Sequence, residues 1–97
     1  MRLDYSDEAA DALDEYEAND PELYRAVDDI LELLENDETN PVLRRRLIRP
    51  ANAYVVALRL SPPRDRPYYL FWLPEENQTV AFIKYVGPGD RPLWATT

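Results

Sequence analysis

The 97-residue chain contains no cysteine and no histidine. Their absence removes disulfides, thiol chemistry, the usual zinc sites and every imidazole base, so proton transfer would fall to carboxylates, tyrosines, arginines or the sole lysine, Lys84. The two glycines, Gly87 and Gly89, flank Pro88 with no helix after them, which argues against a glycine-rich phosphate cradle. No apolar run approaches the roughly 20 residues of a membrane span, and the stretch from Met1 to Glu8 has no apolar segment of signal-peptide length. A soluble, cytoplasmic protein without a membrane partner is expected. Repeats and coiled-coil heptads are also missing. Neighbouring carboxylates such as Asp28 and Asp29, or Glu75 and Glu76, point apart, so no metal site and no cofactor is expected.

What is present is a chain of two opposed halves. Residues 1–40 carry 15 Asp and Glu against Arg2 and Arg25, a balance of −13; residues 41–97 carry nine Lys and Arg against four acids, a balance of +5, giving −8 in all. Such a field repels a polyanion at long range, which disfavours general coating of nucleic acid, while the basic half can still attract phosphate locally. The acidic half reads first as a solvated helical surface. Hydrophobic residues make up 45% of the chain, which is ordinary for a globular protein, and the length suits a single domain over residues 1–97 with one modest core.

Three apolar runs dominate the second half: Ala53 to Leu60, Tyr68 to Leu73 and Thr79 to Val86. Each is short, rich in β-branched and aromatic residues and bounded by turn formers, so an antiparallel meander is predicted. Alternation sets Tyr54, Val56, Leu58 and Leu60 against Val55, Ala57 and Arg59. It likewise sets Tyr68, Leu70 and Trp72 against Tyr69, Phe71 and Leu73, and Val80, Phe82, Lys84 and Val86 against Ala81, Ile83 and Tyr85. The middle run is apolar on both sides, as expected of a central strand with neither face freely wet.

Before the meander, Arg2 to Tyr5 alternates like a short edge strand. Ser6 is a good N-cap for a first helix, with Asp7 and Glu8 in its first turn and Ala9, Ala12, Leu13 and Tyr16 at helical spacing. Asn19, Asp20 and Pro21 signal a second start, and Leu23, Val27, Ile30, Leu31 and Leu34 carry that helix to about Glu35. So short a link predicts an antiparallel helical hairpin on one face of the sheet. Glu32, Glu35, Asp37 and Glu38 crowd the second helix's C-terminal end, where the dipole favours cations. Either downstream arginines relieve them or a basic partner docks there.

The densest positive patch is Val42 to Pro50, with Arg44, Arg45, Arg46 and Arg49; read as a strand, it splits these arginines across both faces. They either pair with the acidic helices or, with Arg64 and Arg66 of the proline-rich loop Ser61 to Pro67, contact a nucleic-acid backbone, since the guanidinium fork suits phosphate oxygens. Pro74 to Gln78 reads as a plain loop. In the tail from Gly87, Trp94 packs on the sheet or offers a stacking ring.

The order of short strand, helical hairpin and meander, with Leu58-Arg59, Tyr68-Tyr-Leu-Phe-Trp and Val80-Ala-Phe-Ile-Lys-Tyr-Val-Gly87, resembles the RelE/ParE family of toxins from toxin–antitoxin pairs over nearly the whole chain. The resemblance implies an α+β fold: an N-terminal strand and an antiparallel two-helix hairpin on one face of an antiparallel sheet, whose concave side carries the active residues. It implies a cognate antitoxin as partner, with ribosome-bound messenger RNA or a topoisomerase as target. In the ribonuclease branch cations offset charge at the scissile phosphate while other groups move protons. Carried onto this chain, Arg59 and Arg91 take the place of the family's basic residues and Trp94 that of the terminal tyrosine, with Lys84 or Tyr85 as substitutes for proton transfer. Val55 and Ala57 stand where well-known ribonucleases of the family have lysines, and Trp94 has no proton to transfer. Beside the toxin reading stand a non-catalytic protein-interaction module on the same scaffold, and an acidic decoy of nucleic acid. A homodimer is a further candidate assembly.

Overall fold

A computed structural model describes residues 1–48 and 52–89 of the chain. The elements run β1 (Arg2–Tyr5), α1 (Asp7–Asn19), α2 (Pro21–Asn36), a 3-10 turn (Pro41–Arg44), β2 (Leu47–Ile48), β3 (Ala53–Leu58), β4 (Tyr68–Glu75) and β5 (Val80–Pro88). The α+β class expected from the patterning is the one adopted.

Both helix starts are fixed by their caps. Ser6 Oγ accepts from the Ala9 amide at 3.0 Å and donates to the Lys84 carbonyl at 2.9 Å, which satisfies α1's first turn and ties it to β5. Asp20 serves both helices: its amide donates to the Tyr16 carbonyl, and its side chain accepts from the Leu23 amide. At the acidic end of α2 the cation that meets the helix dipole is the amino group of Met1, 3.2 Å from the Leu34 carbonyl and 3.9 Å from Glu38 Oε1.

The sheet order is β1-β5-β4-β3-β2. Strands β2 to β5 pair antiparallel, as the meander predicts, whereas β1 runs parallel to β5, so the sheet is mixed and not wholly antiparallel. An even number of chain reversals separates β1 from β5, and strands so related point the same way.

Both helices lie on one face. Ala9 of α1 and Leu23, Val27, Leu31 and Leu34 of α2 form the main core with Val56, Leu58, Leu70, Trp72, Ala81, Ile83 and Val86. Each of the leucine, isoleucine and valine side chains among them contributes about 1.5–3 kcal/mol through burial. The opposite face holds a smaller cluster of Ala53, Val55, Phe71 and Tyr85, against which Tyr69 packs. Trp72 is fully buried on the first side and Phe71 2% exposed on the second, so β4 is dry on both.

Two stretches depart from simple alternation. In β5 the register shifts from Phe71↔Tyr85 to Trp72↔Ile83, an extra residue that bends the strand. Beyond it parity is inverted: Val86 joins Ile83 on the helix side, and Tyr85 turns to the opposite face. The second departure is Val42 to Arg46, weighed as a strand and found as a 3-10 turn leading into the two-residue β2. Asn40 Oδ1 accepts from the Val42 amide at 3.0 Å, and Pro41 occupies the first helical position, a cap that overrides the β-branched character of the run. The loop expected over Pro74 to Gln78 is tighter than that. Pro74 and Glu75 stay in β4, and Glu76, Asn77 and Gln78 turn the chain with φ of 50°, 58° and 69°.

The proline-rich loop between β3 and β4 is pinned to the helical corner by Arg64, whose two terminal nitrogens meet the Asp20 carboxylate at 2.7 and 2.8 Å. That hydrogen bond holds the Asp20 carboxyl below the usual carboxylate range. A depressed carboxyl adds stability above its unfolded value near 4 and gives it up as pH falls through the lower folded value. Asp20→Asn, which keeps a good N-cap, is accordingly expected to lower Tm at pH 7, with the gap to the parent closing below about pH 4 in thermal melts across the acid range; a gap independent of pH would contradict the pairing.

Candidate functional site

On the sheet face opposite the helices, β3 presents Val55 and Ala57, with Arg59 just past its end, and Ala57 stands in register with Tyr69 of β4. The strap from Pro41 to Arg46 rounds the β2–β3 edge and adds Val42, Arg45 and Arg46. These seven residues line a hollow of about 180 Å³. Its lining combines aliphatic side chains with one tyrosine and three arginines.

Among the described residues neither Arg45, Arg46 nor Arg59 makes an ion pair or a side-chain hydrogen bond within the chain. Among the described residues Arg44, Arg45 and Arg46 do not form the ion pairs with the acidic helices that were one reading of their cluster; Arg64, read with the nucleic-acid contacts, is the arginine that meets a helix-cap acid, Asp20, and Arg2 pairs with Glu76 at 2.9 Å. Arg44 is used differently again. Its guanidinium lies 5.1 Å from the Trp72 ring centroid and 5.4 Å from that of Tyr54, and it donates to Gln78 Oε1 at 3.4 Å. The buried Trp72 indole N–H in turn donates to the Leu43 carbonyl at 3.0 Å.

The residues proposed from the sequence therefore separate. Arg45, Arg46 and Arg59 come together. Arg64 and Arg66 line a second hollow of about 310 Å³ beyond Leu58, with Arg59 on the boundary between the two. Lys84 is exposed at the β5 bulge and does not line the arginine hollow. Tyr85 reaches the correct face through that bulge, yet its hydroxyl donates to the Pro88 carbonyl at 2.9 Å and its ring meets Phe71 edge-on with centroids 5.5 Å apart. Arg49, Arg91 and Trp94 lie outside the described residues.

Alternation alone gathers Val55, Ala57 and Arg59 on one face, but Tyr69 and Val42 become part of the site only through register and the 3-10 turn. The asparagine–proline pair at 40–41, a start signal like that at Asp20–Pro21, is the clue that would have found the turn.

Chemically the hollow can hold an anion, because paired guanidinium groups in a partly apolar setting supply charge-assisted hydrogen bonds. A poised base is not among the described lining residues. Tyrosines with displaced titration all move upward, Tyr5 and Tyr16 chiefly through burial and Tyr24 chiefly through Glu17, so they stay protonated at neutral pH. Among the described residues no group of three or more Asp or Glu side chains is placed to hold a metal ion, and no helix is long and apolar enough to cross a membrane. No family model, no curated protein and no solved structure matches the chain.

Gly87 sets how Tyr85 lies. A Cβ there would stand 2.6 Å from the Tyr85 hydroxyl oxygen and 2.9 Å from the adjoining ring carbon, and the ring is held by Pro88 and Phe71. Gly87→Ala should cost about 1–3 kcal/mol in denaturant unfolding. In a Tyr85→Leu background the same change should cost under about 0.5 kcal/mol, the non-additivity expected of a direct clash; equal costs in both backgrounds would place the strain elsewhere.

Proposed function

We propose that this chain is a RelE/ParE-like toxin component of a toxin–antitoxin pair. In this reading it acts in the cytoplasm by binding an RNA target through the arginine hollow, and it is held by a cognate antitoxin. The observation that carries the reading is the convergence of Arg45, Arg46 and Arg59, none with an internal counter-charge among the described residues, on the sheet face that the helices leave. The element order of strand, two helices and meander is compatible with that family's scaffold, as is a basic site on the side away from the helices.

Binding is favoured over cleavage by three local facts. Val55 and Ala57 give the hollow an aliphatic lining where the resemblance calls for lysines, the Tyr85 hydroxyl is occupied by a backbone carbonyl, and Lys84 stands outside the hollow. Phosphate contacts supply affinity without any of these, since each neutralised phosphate releases counterions. The half-buried Tyr69 beside the exposed Ala57 on the same face favours a second reading, a protein-interaction module that docks a partner or a second copy there without RNA.

Induced expression and RNA binding separate the two. The first reading expects growth arrest that Arg45→Ala, Arg46→Ala and Arg59→Ala together relieve while circular dichroism stays that of the parent. It also expects binding of single-stranded RNA whose salt dependence falls by about 0.7 in slope for each arginine removed. Cleavage of the RNA would restore the enzymatic branch. Arrest indifferent to all three changes, with no RNA binding, would replace this reading with the interaction module.

A further inference from the structure

The two strap arginines owe their place to contacts made on the other side of the sheet. Leu43 is fully buried in the main core, its carbonyl receives the Trp72 indole N–H, and the next residue, Arg44, lies over the Trp72 and Tyr54 rings. Immediately beyond, Arg45 and Arg46 line the hollow on the opposite face, and the Arg46 carbonyl accepts from the Val55 amide at 2.9 Å. The strap is thus tied on the helix side at Leu43 and Arg44 and to β3 at Arg46, with Arg45 alone between the ties. Arg59, by contrast, follows directly from β3. Whether three guanidinium groups face one hollow or one does is decided by the strap.

We propose that Trp72 and Arg44 are positioning residues for this anion site. Neither lines the hollow; the indole holds the Leu43 carbonyl and the Arg44 guanidinium stacks on the indole, which together aim Arg45 and Arg46 at an anion shared with Arg59. The inference rests on the reading of the hollow as a phosphate-binding site. Without the ties, two arginine side chains and their backbone would have to be ordered on binding, and the cost would appear as lost affinity.

The test is titration of inorganic pyrophosphate into the full chain at low salt, alongside the rate of tryptic cleavage after Arg45 and Arg46 relative to that after Arg25 in α2. Trp72→Phe keeps a buried ring but removes the donor, Arg44→Ala removes the stacked cation without touching the core, and Arg44→Lys retains a cation over the ring. Trp72→Phe and Arg44→Ala are expected to speed strap cleavage and to weaken pyrophosphate binding about tenfold, with Arg44→Lys close to the parent in both. If Trp72→Phe fails to fold, Arg44→Ala decides alone. A strap that is freed to trypsin while pyrophosphate binds as in the parent overturns the positioning role and leaves the anion site standing. A strap no more cleavable in either variant also overturns it. Parent protein that binds no pyrophosphate, or binds it regardless of Arg59→Ala, overturns the anion site itself, and the positioning role falls with it.

Discussion

The structure depends on one strand being dry on both sides. Leu70 and Trp72 of β4 enter the core under the helices while Phe71, between them, enters the cluster with Val55 and Tyr85. A strand in that position forces the sheet to have two packed faces of unequal depth: a deep one that the amphipathic α1 and α2 can cover, and a shallow one of short and aromatic side chains. The hollow exists because the shallow face is filled near β4 and β5 but falls away over Ala57, whose methyl leaves space between Tyr69 and the strap. Depth on one side and a depression on the other are two results of the same alternating pattern.

The same arrangement separates charge. Acidic residues of α1 and α2 occupy the outer helical surface, and Arg45, Arg46 and Arg59, without an ion pair among the described residues, sit across core and sheet from them. At physiological salt, charges further apart than about 8 Å are largely screened, so a chain with an overall charge of −8 can still offer a locally positive hollow. The acids therefore act on solubility and on distant approach, while the arginines act only at contact.

Much of this was legible in the residues because it is periodic. Alternation at Tyr54 to Leu60 and Tyr68 to Leu73 assigned the faces correctly, and the serine and aspartate caps placed both helices. What escaped is aperiodic. An inserted residue at the β5 bulge has no signature in a run as uniformly apolar as Val80 to Val86, yet it carries Tyr85 to the other face and Val86 into the core. The 3-10 turn was obscured by valine and leucine, whose strand character dominates unless the asparagine cap before the proline is weighed first. The parallel pairing of β1 was hidden for a different reason: it depends on the path of the whole chain and on no residue within the strand. Of the site, Arg59 was identifiable from its strand, whereas the company it keeps was set by long-range register.

The central claim is that one face of the sheet belongs to the helices and the other to an anionic target. Backbone amide NMR during titration with short single-stranded RNA tests it most directly. The account predicts shift changes concentrated at Arg45, Arg46, Val55, Ala57, Arg59 and Tyr69, with α1 and α2 unmoved. Changes centred on the helical face, or none at saturating RNA, would contradict it.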